Sequence, residues 1–200
     1  MPQEDKTGMT HARLLVLTTL AMVAFAANSV LNRLALADGT IDALSYSGIR
    51  LAAGALTLAA ILALRGAMRP GDRIAGSWGG AASLAAYATA FSLAYLQLDA
   101  GLGALILFAS VQIGMLAWAV LKGERPGALE GGGFFLAFLS LALLLRPGTS
   151  APAPFAVVLM VLAGLAWAAY TLIGRGSSQP LRDTAGNFLR CAPLGMVLAA

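Results

Sequence analysis

Hydrophobic residues in this chain come in near-continuous runs separated by short polar breaks, rather than as one apolar face on an otherwise polar helix. Seven such runs occupy residues 14–36, 43–64, 74–98, 101–121, 128–145, 155–174 and 184–200. Each approaches the roughly 20 apolar residues that a helix needs to cross a hydrocarbon layer about 30 Å thick, where every backbone N–H and C=O must be paired inside the segment. The predicted fold is therefore an all-α membrane protein, a multi-helix transmembrane bundle of about seven helices.

Composition agrees with lipid as the solvent: 59% of residues are hydrophobic, 11% are charged and the mean hydropathy is +0.81. A soluble domain carries more than twice that share of charge. The net charge of +4 does not point to nucleic acid, because the basic residues lie between the runs. With the N-terminus in the cytoplasm, Lys6, Arg13, Arg65, Arg69, Arg73, Lys122, Arg125, Arg175 and Arg182 fall on the cytoplasmic side, against Arg33 and Arg146 opposite. That excess predicts a multi-pass chain with its N-terminus inside. The first run has a second reading as a signal-peptide core ending at Ala26-Ala27, but Glu4 and Asp5 stand where such a peptide is basic. Cys191 is the single cysteine, so no intrachain disulfide is possible, and it reads as a small apolar filler.

The two ends of the chain share a pattern. Phe25-Ala26-Ala27-Asn28-Ser29-Val30-Leu31-Asn32-Arg33 aligns without a gap on Trp167-Ala168-Ala169-Tyr170-Thr171-Leu172-Ile173-Gly174-Arg175. Each copy is followed by an aspartate, Asp42 or Asp183, and then by an arginine inside the next run, Arg50 or Arg190. Between the copies lies the proline-rich stretch 147–154, which cannot continue a helix. Five runs precede it. Five is odd, so the second copy enters the membrane from the other face, and the repeat is inverted as in secondary transporters that open a midplane site to alternate sides. The predicted organisation is a cytoplasmic tail (1–12), a five-helix unit (13–146), a linker (147–154) and the start of an inverted second unit (155–200).

Three stretches resemble the EamA domain of the drug/metabolite transporter superfamily: the Phe25 to Arg33 pattern with Arg50 in the next run, the opening Ala104-Leu105-Ile106-Leu107-Phe108-Ala109-Ser110-Val111-Gln112 of the fourth run, and its ending Lys122-Gly123-Glu124-Arg125-Pro126. The usual tryptophan of the first helix is Phe25 here, while Trp167 holds the matching place in the second copy. The resemblance implies two five-helix repeats and gradient-driven export or exchange of small metabolites, such as amino acids, or of drugs across a bacterial inner membrane. Against that pattern three helices of the second unit are missing, so the expectation is either a fragment or truncated product, or a chain that completes its bundle with a second copy as a homodimer.

Polar groups in membrane helices are costly and mark candidate substrate contacts. Asn28 and Asn32 lie one turn apart on the first helix. Tyr87 and Phe91 fall on one face of the third, and Phe108, Gln112 and Met115 on one face of the fourth, an aromatic wall with an amide and an adaptable thioether that suits a metabolite pocket. Trp167 and Tyr170 add to it from the sixth run, with Trp167 expected to point inward. For the asparagines and tyrosines the competing role is helix-to-helix adhesion or interfacial anchoring. Arg50 offers a substrate carboxylate a partner, although snorkelling to the outer interface is the favoured reading at its depth. His11, the single histidine, lies in the tail, so no histidine-based metal site or catalytic triad is expected, and neither is any cofactor or enzymatic activity. The alternative to a transporter is a non-transporting receptor or scaffold, or a non-functional fragment. A retinal-type receptor is excluded, because residues 184–200 contain no lysine.

Overall fold

The computed structural model describes residues 10–66, 74–124, 127–144 and 152–198. Among these residues it contains seven α-helices and no strand: α1 (His11–Ala37), α2 (Ala43–Leu64), α3 (Trp78–Ala94), α4 (Ala100–Leu121), α5 (Ala128–Leu144), α6 (Pro154–Gly174) and α7 (Pro180–Leu198). The all-α membrane bundle matches the reading of the sequence. Four of the helices, α1, α2, α4 and α6, are long and apolar enough to cross a membrane. Their outward faces carry large apolar side chains, with Val23 61%, Leu56 72% and Phe155 68% exposed. Water would not tolerate such continuous cover, whereas lipid requires it.

Helix limits follow local chemistry more than hydropathy. The third run spans 74–98, but α3 covers only Trp78–Ala94. Gly76, at φ 81, turns the chain in the left-handed region that favours glycine. Ser77 then caps the helix by accepting from the Gly80 N–H, and the far end closes in a tight turn in which Leu96 and Gln97 donate to Leu93 and Ala94. The last helix begins four residues before its apolar run, at Pro180, because a proline at the first helical position surrenders no hydrogen bond. At the start of α2, Asp42 accepts from the Leu44 and Ser45 N–H groups at 2.9 Å. The Ser45 hydroxyl, and then these amides, hold its carboxyl below the usual value of 3.8. Its capping is therefore complete at neutral pH and is lost only as pH falls through that lowered value. Of the Lys122 to Pro126 turn, Gly123 takes φ 88 after α4, as a helix stop should, while Arg125 and Pro126 lie outside the described residues. So does most of the basic loop 65–73 and the linker up to residue 151.

Contacts along the helices define their directions. Asn28, Asn32 and Arg33 of α1 meet Tyr87, Ser92 and Tyr95 in rising order, so α1 and α3 run parallel. Gly79 approaches Ile173 while Tyr87 stacks on Trp167, so α3 and α6 are antiparallel. Gly76, Ser77 and Ala81 pair in order with Asp183, Asn187 and Cys191, which makes α3 and α7 parallel. Gly195 lies on Gly48 and Phe188 on Gly54, which makes α2 and α7 antiparallel. It follows that α1 opposes α6 and α2 opposes α7. A close crossing joins α4 and α6, where Gly164 sits against Ser110 and the backbone of Leu107, and Gly114 against Ala168. Glycines there let two backbones approach with no side chain between them, which is how membrane helices gain packing energy without a hydrophobic drive.

A candidate substrate cavity between five helices

The interior is unusually polar for a bundle coated in hydrocarbon. Fully buried side chains include Asn32, Ser47 and Ser92 beside Phe91, Tyr95 and Met160. Ser47 donates to the Ala43 and Ala88 carbonyls at 2.7 and 3.2 Å and fastens α2 to α3. Ser92 receives two hydrogen bonds at 3.2 Å, one from the Asn32 amide and one from Arg50 Nη1. Arg50 Nη2 reaches Asn28 Oδ1 at 3.0 Å, and the Asn28 amide donates to the Tyr87 hydroxyl at 3.2 Å. One connected network thus ties α1, α2 and α3 together. The buried Asn32 Oδ1 has no partner among the described residues.

This network borders a cavity of about 610 Å³, lined from α1, α2, α3, α6 and α7. Asn28, Arg50 and Tyr87 provide its polar groups, and Phe25, Trp167, Phe188, Leu51 and Leu84 its apolar wall. The space exists because Ala21, Ala24, Ala53, Gly54 and Ala88 are small where larger residues would fill it. An aromatic series runs along its edge. Phe108 meets Phe25 at 5.8 Å, Phe25 meets Trp167 at 6.1 Å, Trp167 meets Tyr87 at 4.7 Å, and Phe91 follows Tyr87 at 5.1 Å. Such edge-to-face and tilted contacts fix ring orientation, so the wall is stiff.

The expected site residues divide into three groups. Asn28, Tyr87 and Trp167 line the cavity, with Trp167 pointing inward. Phe91, Asn32, Phe108 and Tyr170 support it. Phe91 lies under Tyr87, Asn32 shares Ser92 with Arg50, Phe108 faces Phe25 and a small neighbouring space, and Tyr170 packs on Trp167 at 5.4 Å and bonds to Thr184. Gln112 and Met115 line neither space, and Gln112 is exposed, which corrects the expectation that it faces the cavity. The reason is helix rotation. Leu107, Ser110, Val111 and Gly114 form the face packed on α6, and Gln112 lies about 200° around the axis from both Ser110 and Gly114.

Arg50 also departs from the favoured reading. Its guanidinium does not extend to the interface but turns into the cavity, 5.3 Å from the Phe91 ring and 5.7 Å from the Tyr46 ring. The arginine at the matching place behaves differently. Arg190 leaves the cavity and donates to the Ala75 carbonyl and, at 3.0 Å, to the Ile74 carbonyl ahead of α3. Placing a guanidinium at this depth costs about 2.5–3.5 kcal/mol on insertion scales. Hydrogen bonds to a charged donor return about 1.5–3 kcal/mol each, and cation–π contacts about 0.5–2. The surroundings can therefore hold the charge, but none of these partners neutralises it. Phe188 and the small residues were missed in the sequence; a stripe of alanines opposite an aromatic run was the available signal. Among the described residues no three His, Cys, Asp or Glu side chains gather as around a metal ion.

The chain is 52% identical, over 190 residues and 95% of its length, to an uncharacterized protein of Pseudomonas aeruginosa, and spans 66% of that protein, just under two thirds. No family model and no solved structure matches it. The likeness to EamA domains therefore stands on the motifs quoted from the sequence.

Proposed function

We propose that this membrane protein is a secondary transporter of the EamA type, which exports small metabolites or drugs across the bacterial inner membrane by alternating access between inverted repeats. The observation that carries this reading is a cavity of about 610 Å³ lined by helices of opposite sense, α1 against α6 and α2 against α7. Elements related by an inverted repeat must run antiparallel, and a site between them opens to one side or the other as one unit rocks against its counterpart. A mostly apolar, aromatic wall with three polar side chains is what a small-molecule site needs. A scaffold that only holds partners together has no use for such a volume between its spans.

The proposal is tested by counterflow of candidate metabolites into liposomes holding the purified protein, beside export by cells that express it. Trp167→Ala removes the ring that touches Phe25, Tyr87 and Tyr170, and is expected to reduce flux by about tenfold or more, the effect of losing a buried aromatic anchor. Wild-type flux no greater than that of empty liposomes, across amino acids, organic acids and cationic drugs, would refute the transporter reading.

The same reading places the N-terminus and the α2–α3 and α4–α5 connections in the cytoplasm. A reporter fused after Lys122, where α4 ends, is expected to read as cytoplasmic, and one inserted at Gly39, between α1 and α2, as periplasmic. The reverse pattern would overturn the orientation and with it the assignment of export.

A further inference from the structure

Among the described residues Arg50 is the only charged residue lining the cavity, and no carboxylate lines it. Two of its five N–H donors serve Asn28 and Ser92. Among the described residues the groups it meets are a neutral amide, the neutral hydroxyls of Ser92 and Tyr87 and neutral rings, so the guanidinium has no counter-charge there and lies beside a volume walled by Trp167 and Phe25. We propose that Arg50 binds the carboxylate of a hydrophobic monoanion, an organic acid with an aromatic or branched apolar body and no cationic group. This deepens the transporter reading and rests on it for the claim that such an acid is carried rather than only bound.

Each part of the ligand class follows from the wall. A single guanidinium matches one carboxylate, since planar N–H pairs and carboxylate oxygens fit in a fork. A second negative charge would find no second cation. A zwitterionic amino acid is disfavoured, because its ammonium would be desolvated with no acidic residue to receive it. Asn28 accepts from the guanidinium and donates in turn to the Tyr87 hydroxyl, which holds the anchor in place from α1 and α3. The apolar body then lies against Trp167 and Phe25, whose rings meet edge to face.

The test uses the purified wild-type protein at neutral pH, with phenylacetate, phenylacetamide and phenylalanine as probes in equilibrium binding. These share a ring but differ in charge. Phenylacetate is expected to bind at least about tenfold tighter than the amide or the zwitterion, the effect of one charge-assisted hydrogen-bonded contact. Arg50→Gln should remove that preference by weakening phenylacetate alone, and Arg50→Lys should restore part of it. If Arg50→Gln does not fold, the wild-type comparison still decides. Equal binding of acid and amide, tighter binding of phenylalanine, absence of phenylacetate binding, or an unchanged preference in a folded Arg50→Gln protein would each overturn the assignment. Counterflow separates this from the broader reading. Phenylacetate bound in an Arg50-dependent way but never carried would sink transport and leave the anion site. Robust flux of neutral or cationic compounds that ignores Arg50→Gln would do the opposite.

Discussion

Replacing Gly164 by leucine is expected to abolish the folded bundle, seen as loss of most of the monodisperse peak when detergent-solubilised protein is run on a sizing column. A Cβ at this position would stand 2.5 Å from Ser110 Cβ, 2.7 Å from the Leu107 carbonyl oxygen and 3.2 Å from the Val111 nitrogen. Two of the three obstacles are backbone, which cannot rotate away as a side chain can, so α4 would have to move as a body. Overpacking typically costs about 1–3 kcal/mol, and more where nothing yields; Gly164→Ala should fall in that range and leucine beyond it. Displacing α4 from α6 also displaces Trp167, one turn further along α6, from its contacts with Phe25 and Tyr87. The alanine variant should accordingly lose substrate affinity more than it loses yield. A Gly164→Leu protein with unchanged yield and melting temperature would mean that α4 and α6 do not cross here.

The second large effect lies at the junction of α3 and α7. Asn187 is buried, its Oδ1 accepts the Ser77 N–H at 2.8 Å, and its side chain rests on Gly76 and Gly80. One turn earlier, Asp183 accepts the Gly76 N–H at 2.9 Å and the Ser177 hydroxyl. One turn later, Arg190 donates to the Ala75 and Ile74 carbonyls. Three consecutive turns of α7 thus satisfy the exposed backbone groups of the chain entering α3, which otherwise has only Ser77 as a cap. Asn187→Leu keeps the bulk but leaves the Ser77 N–H unpaired, at a cost of about 1–3 kcal/mol. Crowding of the branched side chain on Gly80 adds to that. The melting temperature in detergent is expected to fall by about 5–10 °C, given 2–4 °C per kcal/mol at this chain length. A fall of less than about 1 °C would show that the contact does not support the junction.

These positions also separate what was legible in the residue order from what was not. Membrane residence, the number of helices and most of their limits are written along the chain, because lipid forces each segment to satisfy its own backbone and to be apolar for its whole length. The α2 helix occupies its predicted run, 43–64, to the residue. The candidate status of Asn28, Tyr87 and Trp167 was also legible, since a polar or bulky aromatic side chain deep in an apolar run is too costly to be idle. The rotation of each helix about its own axis was not. Almost every residue in these runs is apolar, so no polar stripe marks the outer face, and Gln112 and Arg50 carry no local sign of the direction in which they point. That direction is set by contacts between distant segments. The glycines at 114 and 164 bring α4 onto α6 and turn Gln112 outward, and the amide of Asn28 with the hydroxyl of Ser92 draws Arg50 inward. The sequence by itself determined a lipid-embedded helical bundle with polar groups inside it; only the tertiary structure decided which of those groups share a cavity, because helix rotation depends on close approaches that no single segment contains.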